Sequence, residues 1–373
     1  MKKNVLAIFM TMAFAVSMLA GCGSGDTKDT RTAQEKNEGG EDQSEAESQE
    51  EGEDQVESGR QSDASEAPED EDGSGAPAEG ETFHIGVIQL AEHPALDAAY
   101  EGFIEGLKEE GFEEGKNITV DYQNAQGDQS NCQTIADKFV NDNVDLILAI
   151  ATPAAQAAAS KTTEIPILVT AVTDPASSGL VESNDAPGGN VSGTSDLTPV
   201  KEQIDLLHDL LPDAKHVGIL YCSAEDNSEF QADIAVESLE ALGMTGEKYT
   251  FSTLDEIQAV MDSMKGNVDA IYAPTDNKVA EGMTTVSMLA TEAGLAVICG
   301  ESGMVDGGGL ATFGLSYHNL GKLTGEQAAS ILKGEADTAT MPIGYLKAED
   351  CEFSYSEETA AALNITIDPS KYE

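Results

Sequence analysis

From Phe83 onward, short apolar runs alternate with longer stretches whose apolar positions recur every three or four residues. Phe83 to Gln89, Ile118 to Tyr122, Leu146 to Ile150 and Ile165 to Val172 read as strands. Between them, Pro94 to Glu110, Ser130 to Val140 and Pro153 to Ser160 read as helices. After a passage rich in Gly and Pro the rhythm restarts. Gln203 to Leu211, Glu229 to Leu242 and Val279 to Glu292 are helical in pattern; His216 to Tyr221, Val268 to Tyr272 and Leu295 to Ile298 are extended. The run Leu146-Ile147-Leu148-Ala149-Ile150 has no polar alternation, as expected of a strand covered on both faces. A β-α-β-α order given twice predicts an α/β fold of two doubly wound parallel-sheet lobes joined by crossover segments. The expected lobes are 83–199 plus 311–337 and 200–310 plus 338–373. The crossings are placed at Val200-Lys201, Leu310-Ala311 and Asp337-Thr338, with Asn319 to Leu332 a further helix.

The first 82 residues obey another rule. Lys2 and Lys3 precede an apolar run from Val5 to Leu19, too short to span a bilayer comfortably, and Leu19-Ala20-Gly21-Cys22 closes it. This ending resembles the lipobox of bacterial lipoproteins. The resemblance implies a signal peptide over 1–21, cleavage before Cys22, and a lipid on that cysteine as the only membrane attachment. No later stretch has the ~20 consecutive apolar residues of a membrane helix. From Gly23 to Thr82 there are 21 acidic residues, four basic ones and no aromatic. Such a segment cannot bury enough apolar surface to order itself, so 22–82 reads as an anchored cysteine followed by an acidic, disordered linker.

Composition narrows the function of the rest. The chain carries a net charge of −50, both arginines (Arg31 and Arg60) lie in the linker, and there is no tryptophan. An acidic surface without arginine argues against nucleic acid, anionic lipid headgroups and phosphorylated ligands as partners. Cys132, Cys222, Cys299 and Cys351 are widely spaced, with no Cys/His cluster of zinc spacing, so no metal and no cofactor are expected. Buried thiols are the expected state, and one disulfide stays open as an alternative.

Ligands of open parallel sheets bind outside the carboxyl ends of the strands. Six such ends carry hydroxyls, carboxylates and amides: Leu90 to Asp97, Thr152-Pro153-Ala154, Thr173-Asp174, Glu225-Asp226-Asn227-Ser228, Thr275-Asp276-Asn277 and Gly300-Glu301-Ser302. Thr152, Asn227 and Ser228, at helix starts, suit a carboxylate without a guanidinium clamp. Asp276, with Glu301 second, suits an ammonium. Leu90, Pro94 and Leu96 suit a side chain, and His93 stands at the same edge. Helix capping explains any one cluster equally well.

His93-Pro94-Ala95-Leu96-Asp97, Ala151-Thr152-Pro153-Ala154-Ala155, Val172-Thr173-Asp174-Pro175, Glu225-x-Asn227-Ser228 and Pro274-Thr275-Asp276-Asn277 together resemble the tryptophan/tyrosine-type ABC transporter substrate-binding lipoproteins. Asn190-Val191-Ser192-Gly193 and the stretch from Gly321 to Gly334 fit as well. The resemblance runs from about Phe83 to Pro369. It implies a type I periplasmic-binding-protein fold on the extracytoplasmic face of a bacterial membrane, a monomer that clamps a small solute between its lobes and hands it to an ABC permease. Aromatic amino acids are favoured; another small solute such as a sugar or nucleoside, or a sensing role, is the alternative. An enzyme is disfavoured: Gly300-Glu301-Ser302-Gly303 lacks the glycine of a nucleophile elbow at Met304, and the histidines are scattered.

Overall fold

The computed structural model describes residues 82–347 and 351–372. The signal segment, Cys22 and the acidic linker up to Glu81 lie outside the described residues. No helix among the described residues is long and apolar enough to cross a membrane.

Two six-stranded sheets carry the fold. The first contains β1 (Phe83–Gln89), β2 (Ile118–Asn124), β3 (Leu146–Ile150), β4 (Ile167–Val172), β5 (Val191–Ser195) and β11 (Gly344–Tyr345). The second contains β6 (His216–Cys222), β7 (Thr245–Phe251), β8 (Ala270–Ala273), β9 (Val297–Cys299), β10 (Ala311–Gly314) and β12 (Glu352–Tyr355). Their spatial orders are β11-β5-β4-β3-β1-β2 and β12-β10-β9-β8-β6-β7. Ladders are parallel throughout except between β10 and β12. This is the doubly wound, two-lobed architecture expected from the alternation of apolar runs.

The helices cover both faces of each sheet. In the first lobe α1 (Pro94–Glu109) packs along α9 (Tyr317–Leu332), and α2 (Gln129–Asp142) packs on α3 (Thr152–Ala159). In the second, α4 (Val200–Leu210) neighbours α5 (Asp226–Ala241), while α6 (Ile257–Met264) neighbours α7 (Asn277–Ala293). A five-residue helix, α8 (Ser302–Asp306), comes after β9, and α10 (Glu357–Ala362) after β12. Every residue of β3 and β4 is buried, which is why both lack polar alternation. Fully buried Phe103, Leu107, Phe139 and Leu148 centre the first core, each worth roughly 1.5–3 kcal/mol in removal from water.

The contact of α1 with α9 is backbone on backbone. A Cβ on Gly321 would stand 1.9 Å from the Ala99 carbonyl oxygen, and one on Gly102 would stand 1.9 Å from that of His318. Only glycine admits so close an approach. Lys322 then reaches Glu105 and Glu109 on α1 at 3.1 and 2.7 Å.

Two crossings differ from expectation. The second is not at Leu310-Ala311. Ala311 pairs with Ile298 of β9 and with Tyr355 of β12, so β10 belongs to the second sheet, and the chain passes over at Leu315 and Ser316. Leu315 and Tyr317 already pack in the first core. The third is not at Asp337-Thr338, because Gly344 and Tyr345 pair with Thr194 and Ser195 of the first sheet. The first crossing runs from Asp196 to Pro199, between β5 and α4. Cys132, Cys222 and Cys299 are buried thiols without a disulfide.

Candidate functional site

The carboxyl ends of both sheets border one narrow cavity lined by residues of both lobes. From the first lobe it receives His93 and Leu96 at the start of α1, and Ala171 and Thr173 at the end of β4. From the second it receives Asn227, Thr275, Asp276, Asn277, Ala280, Glu301 and Met304. Asp196, on the first crossing, and Tyr317, just past the second, complete it. A register shift between β4 and β5 accompanies the presentation of Ala171, which sits at φ +54°, a left-handed conformation that non-glycine residues rarely adopt.

The lobes touch across the cavity. His93 Nε2 lies 3.3 Å from Asn277 Oδ1, and Gln231 Nε2 donates to Thr173 Oγ1 at 3.2 Å. Gln156 Nε2 donates to Asp226 Oδ2 at 3.1 Å. These bonds join α1 to α7, the end of β4 to α5, and α3 to α5. The cleft is closed.

Four buried carboxyl groups lie at or beside it, and three already serve backbone N–H groups. Asp276 Oδ1 accepts from Val279 N–H at 2.8 Å and Oδ2 from Cys222 N–H at 2.7 Å. Glu225 accepts from the N–H groups of Asn277 and Lys278, both at 3.2 Å, and so closes the start of α7. Glu301 caps α8 through Gly303 and Met304 N–H at 2.5 and 2.8 Å. Asp196 differs. Oδ2 accepts the Tyr317 hydroxyl at 2.7 Å, but Oδ1 is buried without a hydrogen-bond partner.

Burial raises all four acids. Asp196 is pushed to about 6, eased down by Tyr317 and Thr173, and Glu301 to about 7. Burial first, and then the Asp276 charge, push Glu225 to about 8. Asp276 rises as well, by burial. No lysine or arginine lines the cavity, and burial lowers the His93 pKa, so that ring is neutral. The site therefore lacks a positive charge of its own. Two residues that line it carry further buried acceptors without partners, Asn227 Oδ1 and His93 Nδ1. Among the longer helices that supply lining residues, α7 is capped by a side chain, whereas α1 and α5 are not.

Residues 84–369 match the family described as ABC transporter substrate binding protein. This chain belongs to that family. As an ABC substrate-binding protein it is 41% identical over 292 residues to the "Tyrosine-binding protein" of Clostridioides difficile strain R20291, covering 78% of this chain and 84% of that one. A Streptococcus pneumoniae ABC domain in complex with L-Trp superposes with a TM-score of 0.75 at 36% identity, over 78% of this chain and 97% of that one. The ligand-free, open structure of a substrate binding protein with adhesive properties from Clostridium difficile is 43% identical, over 78% and 98%, yet its TM-score is 0.61. In shape this substrate-binding protein is thus nearer the L-Trp complex than the open relative, although in sequence the order is reversed. The cross-cleft bonds give the same reading.

Of the sixteen ligand-contact residues expected in this substrate-binding protein, the structure brings His93, Leu96, Thr173, Asn227, Thr275, Asp276, Asn277 and Glu301 to the cavity. Leu90, Pro94, Thr152, Pro153, Ala154, Asp174, Glu225 and Ser228 do not line it. Glu225 is tied to α7. Asp174 holds Ser177 N–H at 2.6 Å and Asn184 Nδ2 at 2.8 Å, a turn outside the cleft. Thr152 is buried, with Oγ1 unpartnered. The ammonium role expected of Asp276 and Glu301 meets a physical obstacle, because their oxygens already accept backbone N–H groups. Asp196, Tyr317, Ala171, Ala280 and Met304 line the cavity without a signal in the strand-end pattern.

Proposed function

We propose that this substrate-binding protein takes up an aromatic amino acid and delivers it to an ABC permease from a lipid anchor at Cys22. Substrate-binding proteins of this family are extracytoplasmic receptors, and the relatives' named ligands, tyrosine and L-Trp, favour the aromatic class. One observation carries the amino-acid reading: a closed cavity beside four buried acids, with unpartnered acceptors and no cation.

A buried charge needs a partner of opposite sign. The ligand's ammonium supplies it, held by Asp196 Oδ1 and Asn227 Oδ1. The ligand's carboxylate goes to the uncapped start of α5, where N–H groups and the helix dipole favour an anion. Leu96, Ala171, Ala280 and Met304 form the apolar wall for the ring. Asp276 and Glu225 act indirectly, by fixing the start of α7.

A thermal-shift screen of the purified protein against the common amino acids tests this. A ligand at about 1,000 times its Kd adds roughly 4 kcal/mol of stability, a rise of melting temperature that is easily read. Stabilisation by tyrosine, tryptophan or phenylalanine, and none by the corresponding decarboxylated amines or deaminated acids, is the expected result. A sugar or nucleoside that stabilises where no amino acid does would overturn the reading.

A further inference from the structure

We propose that His93 selects the ligand's side chain, accepting through Nδ1 a hydrogen bond from a side-chain O–H or N–H of the bound amino acid. The inference rests on the amino-acid reading above and concerns which amino acids pass.

Glu225 is the starting point. Its Oε2 accepts from Asn277 Nδ2 at 2.7 Å, which sets which way the Asn277 amide faces. The amide oxygen of Asn277 is thereby turned to His93 Nε2, 3.3 Å away on the other lobe. An acceptor facing that nitrogen requires the proton to be on Nε2. Nδ1 is then a bare lone pair. It is buried, and no protein group donates to it. Burial keeps the ring neutral against the opposing pull of Asp97 and Glu281, so Nδ1 does not acquire a proton of its own.

The donors of the cavity wall are engaged with other protein groups, the Thr173 hydroxyl with Asp196. The Tyr317 hydroxyl is given to Asp196, Asn277 Nδ2 to Glu225, the Thr275 hydroxyl to Gln231 Oε1 at 2.9 Å, and Asn227 Nδ2 to Thr275 O and Ser228 Oγ. Leu96, Ala280 and Met304, from α1, α7 and α8, carry none. Among the described residues nothing donates to Nδ1, and the ligand supplies that donor. Three lining residues carry an unpartnered buried acceptor, and the α-ammonium is assigned to Asp196 and Asn227. His93 is left for a phenol or an indole N–H. Because the Asn277 contact crosses the cleft, the acceptor takes its set tautomer only when the lobes meet.

Calorimetry with L-tyrosine, L-tryptophan and L-phenylalanine on the wild type and on His93→Leu tests the assignment. In the wild type the better of tyrosine and tryptophan should exceed phenylalanine roughly 5- to 150-fold, the effect of leaving one buried acceptor unpaired. In His93→Leu the ratio should collapse toward one. Nitrogen NMR of histidine-labelled protein should show a neutral Nε2–H ring whose signal is missing from the variant. An unchanged ratio in His93→Leu, equal wild-type affinity for the three, or an Nδ1–H tautomer overturns the assignment while leaving the amino-acid reading intact. If none of the three binds, the amino-acid reading fails and this proposal with it.

Discussion

Tyr317 donates its hydroxyl to Asp196 Oδ2 at 2.7 Å, tying the first chain crossing to the start of α9, just past the second. The carboxyl proposed to receive the ligand's charge is therefore part of the hinge. Asp196→Asn should weaken amino-acid binding by roughly thirtyfold or more, since truncating one member of a buried charge pair costs about 2–5 kcal/mol. Tyr317→Phe removes one hydrogen bond and should cost about two- to tenfold. Calorimetry measures both, with circular dichroism to show an intact fold. Unchanged affinity in Asp196→Asn would remove the charge role.

Acidity should act in opposite directions on the empty and loaded protein. Asp196, Glu301 and Glu225 have folded pKa values of about 6, 7 and 8, above their unfolded values of roughly 4. Between these limits the folded state holds more protons than the unfolded one, so their contribution to stability is largest at low pH and is lost as pH rises through the folded values. Melting temperature without ligand should fall between pH 5 and pH 8. Amino-acid affinity should do the reverse and weaken below about pH 6, as Asp196 takes up a proton. Asp196→Asn should flatten that part of the affinity profile.

Asp276→Asn separates structure from recognition. Its two oxygens hold Cys222 and Val279 N–H, and an amide can accept only one of these. Melting temperature should drop by the equivalent of about 1–3 kcal/mol, with a smaller change in ligand affinity than in Asp196→Asn. A variant as stable as wild type that no longer binds would return the ammonium role to Asp276.

Gly321→Ala should strike the first lobe through packing alone. Its new methyl would meet the Ala99 carbonyl, which no side-chain rotation relieves. Overpacking of this kind costs about 1–3 kcal/mol, or some 2–4 °C per kcal/mol in a chain of this order. Gly189→Ala, where nothing stands within 4 Å, should leave the melting temperature unchanged.

Cys22→Ser should release the protein from membranes and abolish incorporation of a labelled fatty acid. Continued membrane partition with the same lipid label would show that Cys22 is not the anchor.

Where hydrocarbon dominates, the fold is legible in the sequence. β1, β3, β4 and β6 are apolar runs, and the polar residues just beyond their carboxyl ends include Thr173 and the Glu225 cluster. β5 escapes because Val191-Ser192-Gly193-Thr194-Ser195 is mostly small and polar. It is buried by pairing its hydroxyls, Thr194 with Thr170 and Thr324, and not by apolar side chains. Asp196 stands at the end of that strand, so the rule that locates half the cavity would locate it too, were the strand visible in hydropathy. β7 is an edge strand with exposed polar positions and gives no such signal. The ambiguity at Asp276 has another origin. A carboxylate at a strand end can face a ligand or turn back to cap the next helix, and residue type does not distinguish the two.

The helix that fits against α1 through its glycines reaches that position from the far side of the second lobe. Lys322 and Glu105 are 217 residues apart in sequence, while β6 to β10 of the second sheet are contiguous. Along the chain, the second lobe has five of its six strands before α9 is reached. Until then the first lobe lacks the helix that packs along α1. Long-range closure of this kind is slow and leaves apolar surface open to misassembly. The order of synthesis thus completes the first lobe only after most of the second is made, and the second only when β12 and α10 follow.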